Sequence, residues 1–415
     1  MSTAPKHFEV ASRPDGARLA AARSKRSPVV SSLFQFFAMA NISFGCPISE
    51  ILPGELQRRG HSRVFVVTNK SLSGTPTIAA VIAALGNRLA GVYDRVVAHA
   101  PRTSVIDGTI AARASEADIL LAVGGDSVID AAKAMLLALR HGYTKASQLD
   151  AHANAGLDAA YMTAEESAKW LRLVALPTTL SATEYTPFAS ITEPMSKAQQ
   201  AFNSAMMTPL MVINDPDMIR DTPLRLILST GMKAVDHAVE RITSVRATPY
   251  CDAVSVLGLN MLSRNLRQLA GGDNSADVRS KLQYGVWMTM AGGAEGVFPN
   301  LSHAIAHALG STCDVPHGET SCVLLPSVLR WLGPAIDDRR RLLCHAMDHA
   351  GDEPAEAVAE LVKALRLPGR LRDVGVKTED LDRIANRALH DRLMPYSRRK
   401  ITDVAQVREI LDLAW

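Results

Sequence analysis

One junction constrains the fold of this chain more than any other feature. The apolar run Leu121-Ala122-Val123 passes straight into Gly124-Gly125, and a helical pattern starts at Ser127 and ends near His141-Gly142. Glycines let a backbone come close to a ligand, and the free N–H groups and positive end of a following helix attract phosphate. A second reading of the same residues is purely local: Ser127 and Asp130 have the spacing of a capping box. The junction repeats a theme. Short runs at Arg63–Thr68, Ala117–Val123, Leu171–Leu176 and Met211–Asn214 read as buried strands, and residues 76–87 have helical spacing. Strands alternating with helices imply a mostly parallel sheet covered on both faces.

From Leu224 onward the long segments have helical periodicity and no strand pattern. The expected architecture is an α/β nucleotide-binding domain with a parallel sheet over residues 33–219, followed by an all-α domain over 220–415. Residues 1–32, basic and weakly patterned, read as a flexible extension. Residues 29–49 imitate a secretory leader, but the basic stretch before them is long and Ser31, Ser32, Gln35 and Asn41 interrupt the run. Its end, Ile42–Gly45, reads as a first strand and turn. No other segment has the length and apolarity of a membrane span.

Composition narrows the function. With 45 basic and 42 acidic residues and 5% aromatics, the chain has neither the basic field nor the stacking platforms of a nucleic-acid binder. Five scattered cysteines, none in a CxxC pair, suit a reduced protein, and a cytoplasmic location is expected.

The histidines are more informative. His303 and His307 lie one helical turn apart among small residues, His317 follows in a Pro-His-Gly turn, and His237 sits in Gly231-Met232-Lys233-Ala234-Val235-Asp236-His237. Two imidazoles on one small-residue face with a third beyond a tight turn point to a site, since imidazole is the commonest metal ligand.

The Val123–Lys133 segment resembles the phosphate loop of the iron-containing (group III) alcohol dehydrogenase superfamily. Leu176–Thr186, Lys197, Asn214-Asp215-Pro216, Thr230-Gly231-Met232, Ala238-Val239-Glu240 and Ala247–Ala253 follow in the order of that family. The resemblance implies the dehydroquinate-synthase-like fold, a homodimer, a small carbonyl or alcohol substrate, and NAD or NADP held by Asn69, Gly124, Gly125, Asp126, Ser127, Asp130, Thr178, Thr179, Ser181 and Lys197. It implies Fe²⁺ or Zn²⁺ on an Asp and three His, of which His237, His303 and His317 carry over, and a proton-relaying role for His307.

Three positions depart from the family pattern. Lys233 stands where the metal-binding Asp is expected, and an ammonium beside a divalent cation is strongly repulsive in a dry site. Asp126 stands where a third glycine is expected, either crowding the pyrophosphate or pointing outward as a helix cap. Asn69, in place of an acid that would repel the extra phosphate, leaves NADP permissible. Maleylacetate reductases, a branch that works without metal, resemble the chain at Pro316–Thr320 and Pro177–Thr179 but have Asn where Lys233 stands. The expectation is an NAD(P)-dependent, metal-independent oxidoreductase in which Lys233, with His237, His303 and His317, polarises the substrate oxygen. The alternatives are a three-histidine Fe²⁺ or Zn²⁺ alcohol dehydrogenase and a dehydroquinate-synthase-like lyase.

Overall fold

The computed structural model describes residues 34, 38–154, 163–195 and 198–415. The expected flexible extension at 1–32 and the expected cofactor residue Lys197 lie outside the described residues.

Six strands form one parallel sheet in the order β1-β8-β5-β4-β2-β3. They are β1 (Asn41–Phe44), β2 (Val64–Asn69), β3 (Leu89–Val96), β4 (Ile119–Gly124), β5 (Arg172–Pro177) and β8 (Met211–Asn214); β6 (Phe188–Thr192) and β7 (Gln199–Asn203) form a separate antiparallel hairpin. The helices interleaved with them are α1 (Ile48–Arg59), α2 (Pro76–Leu85), α3 (Arg102–Ala114), α4 (Asp126–His141) and α5 (Ala164–Ala168).

Side-chain alternation explains why the central strands are continuous apolar runs. Along β4, Ile119, Leu121 and Val123 enter the core that holds Ile48, Leu52 and Val81, while Leu120 and Ala122 enter the opposite core with Val105, Met135 and Leu136. Strands buried on both faces have no polar side to show. β4 and β5 stay in register to their ends, where Gly124 pairs with Pro177. The crevice beyond the carboxyl ends of such strands is where open α/β sheets bind ligands.

The remaining chain is helical: α6 (Leu224–Ile242), α7 (Pro249–Ala270), α8 (Ala276–Ala291), α9 (Leu301–Cys313), α10 (His317–Leu332), α11 (Asp337–Ala346), α12 (Pro354–Ala364), α13 (Leu381–Leu389) and α14 (Val404–Ala414). Its core is continuous with the sheet, since Ala175, Leu180 and Val212 pack in one cluster with Leu228, Met232 and Val235 of α6. No helix among the described residues is long and apolar enough to cross a membrane.

Candidate active site

Every residue of α6 from Ile227 to Ile242 is buried. A helix surrounded on all sides must give its polar side chains either protein partners or a cavity. Here it does both, on neighbouring stripes about 100° apart. Asp236 and Glu240 turn toward α9. The Glu240 carboxylate accepts the backbone N–H groups of Asn300 (2.9 Å) and Ser302 (2.5 Å), supplying acceptors that the α9 N-terminus lacks. It also lies 2.7 Å from His303 Nδ1. A proton on Nδ1 facing Glu240 leaves Nε2 as the acceptor, and that atom is buried without a hydrogen-bond partner. Asp236 accepts from Ser302 Oγ at 2.8 Å and sits behind His303, 3.6 Å from Nδ1, off the Lys233–His237 stripe as its helix angle requires.

The second stripe, Lys233, His237 and Arg241, lines a cavity of about 180 Å³. Four imidazoles meet there. The His237 and His303 rings stack with centroids 4.7 Å apart, His303 and His317 meet edge to face at 6.5 Å, and His307 stacks on His317 at 5.8 Å. His317 opens α10, where a Cβ at Gly318 would fall 2.8 Å from the Ser229 backbone; only glycine lets this turn seat against α6. Burial, reinforced by neighbouring positive charge, pushes His237 and His317 well below the usual imidazole range and His303 down to about 4, so all three are neutral at pH 7. Burial likewise pushes the Asp236 and Glu240 carboxyls up to about 7. His307 is less buried, and its Nδ1 lies 2.9 Å from Asp391 Oδ2, which fixes the ring with Nε2 free.

The glycine turn reaches the Lys233 side of the cavity through Asp126. Gly125 caps α4 without a side-chain hydrogen bond, and a Cβ on it would press on Thr179 Cγ2 at 3.0 Å. Gly124 has a different reason to be glycine, since its Cβ would collide with Val128 at 2.7 Å. Thr178 N donates to Gly124 O at 3.0 Å, and Thr179 Oγ1 donates to Ser181 Oγ at 3.2 Å, so these residues form the opposite wall of the turn.

The capping-box reading of Ser127 and Asp130 is not realised. Ser127 Oγ accepts from His99 N at 3.1 Å, while Asp130 reaches away to Thr183 Oγ1 (2.6 Å) and Ser190 N (3.0 Å), where the loop after β5 needs acceptors more than the helix start does. Asn69 Oδ1 accepts from Ser71 Oγ and Leu72 N, closing a turn after β2.

Asp126 and Lys233, two of the three departures from the family pattern, meet in space. Asp126 Oδ1 accepts from Ser127 N at 2.8 Å, and its Oδ2 lies 3.7 Å from Lys233 Nζ. The carboxylate is therefore not an outward-pointing cap. An ion pair joins the glycine turn to the histidine wall, and nothing in the linear sequence signals it. Asp391 and the orienting contact of Glu240 were equally invisible, because each depends on side chains far apart along the chain.

Residues 40–216 match the model of the iron-containing alcohol dehydrogenases, and residues 227–415 match that of the Fe-containing alcohol dehydrogenase family, C-terminal. The chain is 29% identical to maleylacetate reductase of Pseudomonas aeruginosa over 351 residues, covering 85% of this chain and 89% of the relative. It is 30% identical to 1,3-propanediol dehydrogenase of Citrobacter freundii over 372 residues, covering 86% and 92%. Among solved structures, 1,3-propanediol oxidoreductase superposes with a TM-score of 0.83 at 26% identity, over 92% of this chain and 100% of that one. These relatives are oxidoreductases by name, and with both halves matched to its models the chain belongs to the iron-containing alcohol dehydrogenase family.

Proposed function

We propose that the protein is an NAD(P)-dependent oxidoreductase that moves hydride to or from a small carbonyl or alcohol, with Lys233 in place of a metal ion. The observation that carries this reading is the position of the Lys233 ammonium: it lines the histidine cavity, 8% exposed, and among the described residues the carboxylate it forms an ion pair with, 3.7 Å away, is Asp126 on the glycine turn.

The residues present suit a dinucleotide. The α4 N-terminus, whose cap Gly125 offers no side chain and whose Ser127 N–H is taken by Asp126, the Gly125 backbone lying open against Thr179, and the wall of Thr178 and Ser181 form a cradle that a single Cβ would fill. Asn69 carries no charge that would repel a ribose phosphate, so NADP is accepted in this reading as well as NAD. Bound, a nicotinamide supplies the hydride donor or acceptor.

The residues suit a divalent metal less well. The position expected to carry a carboxylate ligand carries an ammonium. Among the described residues, the three-residue set with ligand atoms all within 4.8 Å of one another is Asp236, Glu240 and His303, and these atoms are engaged with one another and with the start of α9. His237, His303 and His317 do not form such a set.

In the proposed reaction the carbonyl oxygen lies against Lys233 and the neutral imidazoles. The ammonium donates to the oxygen as negative charge grows there, a donor already in place on a buried helix. Asp126 positions that ammonium. His307, held by Asp391, passes the proton that the resulting alkoxide needs, at a ring with one edge toward the cavity. Phe188 and Phe298 give the cavity an apolar side. The test is a carbonyl screen followed at the nicotinamide absorbance with NADH and NADPH, with and without chelator. Chelator-insensitive reduction supports the reading; product formation without net change in nicotinamide redox state would replace it with the lyase.

A further inference from the structure

The cavity wall holds a second cation that the proposed hydride transfer does not use. Arg241 lies one turn beyond His237 and two beyond Lys233 on the same stripe of α6, and only 2% of it is exposed. One guanidinium nitrogen, Nη1, donates to the His237 carbonyl at 3.3 Å. Its Nε is buried with no hydrogen-bond partner; burial lowers the guanidinium to about 10, and Cys251 and Glu240 act on it electrostatically, without a carboxylate hydrogen bond to it among the described residues. The adjacent Glu240 is committed to His303 and to the N–H groups of α9. The backbone facing the guanidinium is a glycine pair: Cβ atoms at Gly292 and Gly293 would lie 3.4 Å from Arg241 Cδ and 3.9 Å from Nη2. Gly293 itself lines the cavity. A buried guanidinium with most of its donors unused is costly unless an anion completes it.

The rest of the cavity agrees in sign. Asp130, the one carboxylate on its wall, is consumed by Thr183 and Ser190, while Arg392 adds positive charge at the exposed side. Building on the hydride-transfer reading above, we propose that Arg241 anchors a substrate carboxylate, so that the site takes a short-chain oxo acid. The rise of the helix places Arg241 about 6 Å from His237 along the axis. This sets a spacer of two or so carbons between a carbonyl at the imidazoles and a carboxylate at the guanidinium. Arg, with a planar fork of donors, suits bidentate capture of that carboxylate.

The test compares 4-oxobutanoate with butanal, which differ by the carboxylate alone, as substrates of the full-length protein and of its Arg241→Met and Arg241→Lys variants. Binding of succinate, measured by calorimetry, is read in parallel. The kcat/KM ratio of 4-oxobutanoate to butanal is expected to be about ten- to a hundredfold in the unaltered protein, the worth of a charge-assisted bond. It should collapse to within a few-fold in Arg241→Met and be partly kept in Arg241→Lys, with succinate binding lost and weakened in parallel. A ratio near one in the unaltered protein, or a ratio unchanged in a folded Arg241→Met variant, overturns the proposal and leaves the hydride-transfer reading standing. If neither carbonyl is reduced, that reading fails, and succinate binding alone decides: binding that depends on Arg241 upholds the anion site, and its absence ends it.

Discussion

Two buried lysines lie within electrostatic reach of each other, and they could hardly be used more differently. Lys133, on α4, is fully buried, and its ammonium donates to Thr183 O (2.5 Å), Phe188 O (2.8 Å) and Thr186 Oγ1 (3.2 Å), with Asp130 at 4.0 Å. Lys233, on α6, is nearly as buried, yet among the described residues its one ion pair is with Asp126 at 3.7 Å, while the buried Glu184 acts on it only at longer range. A buried ammonium saturated by the protein is structure. A buried ammonium with donors to spare, facing a cavity, has capacity left for a ligand. Lys133 ties the loop from Ala182 to Phe188 to the phosphate helix, and it does so where Ala182 sits at a φ of 73°, a left-handed conformation that a non-glycine residue keeps only when its surroundings hold it. Burial lowers the Lys133 ammonium to about 8, and Asp130 and Glu184 hold it up against that shift.

Substitution separates the two roles. Lys133→Met leaves two carbonyls and a buried carboxylate without their cation, so denaturant titration should show a loss of about 3–5 kcal/mol. Unchanged stability would break the comparison. Lys233→Met should do the reverse: kcat/KM should fall roughly a hundred- to a thousandfold, about 2.7–4 kcal/mol of barrier, while the denaturation midpoint stays near that of the unaltered protein.

Smaller effects sharpen the contrast between the two walls of the cavity. Gly125→Val puts a branched side chain between Thr179 and the bound pyrophosphate, and calorimetry should show NAD(P)H binding weakened about tenfold, or ~1.4 kcal/mol, in a folded protein. Unchanged affinity would move the cofactor elsewhere. Asp126→Asn should split the two steady-state constants. Removing the carboxylate beside the phosphates tightens NAD(P)H binding, while freeing the Lys233 ammonium lowers kcat, each by up to about fivefold as for a partly exposed ion pair. Parallel loss of both would make Asp126 a folding residue only.

The part of the fold that could be read from the sequence is the part where one-dimensional pattern and three-dimensional demand coincide. β2, β4, β5 and β8 are apolar runs because both faces of the sheet are covered, and α2 and α4 show their period for the same reason. The edge strand β3 was not legible: Gly91, Asp94 and Arg95 interrupt it, and much of it is only partly buried. Nor was the β6–β7 hairpin, whose five-residue strands mix apolar and polar residues and pair with each other and, at Thr192, with Pro101.

The site divides along similar lines. The four histidines were legible from helical spacing together with family resemblance, and the oddity of Lys233 and Asp126 was legible one residue at a time. Their pairing was not, because it joins two helices more than a hundred residues apart in the chain. Ser127 and Asp130 show the opposite failure: a local capping signal was present, and the tertiary need of the 183–190 loop for an acceptor outweighed it.

The central claim is that Lys233 does the work a metal ion would otherwise do. It is tested most directly by assaying one carbonyl reduction before and after exhaustive dialysis against a chelator, with Fe²⁺ or Zn²⁺ added back and metal content measured on the same samples. Metal should be substoichiometric throughout, the rate the same before and after dialysis, and neither ion should raise it. Stoichiometric metal in the purified protein, with activity lost on chelation and restored by Fe²⁺ or Zn²⁺, would contradict it and assign His237, His303 and His317 to a metal.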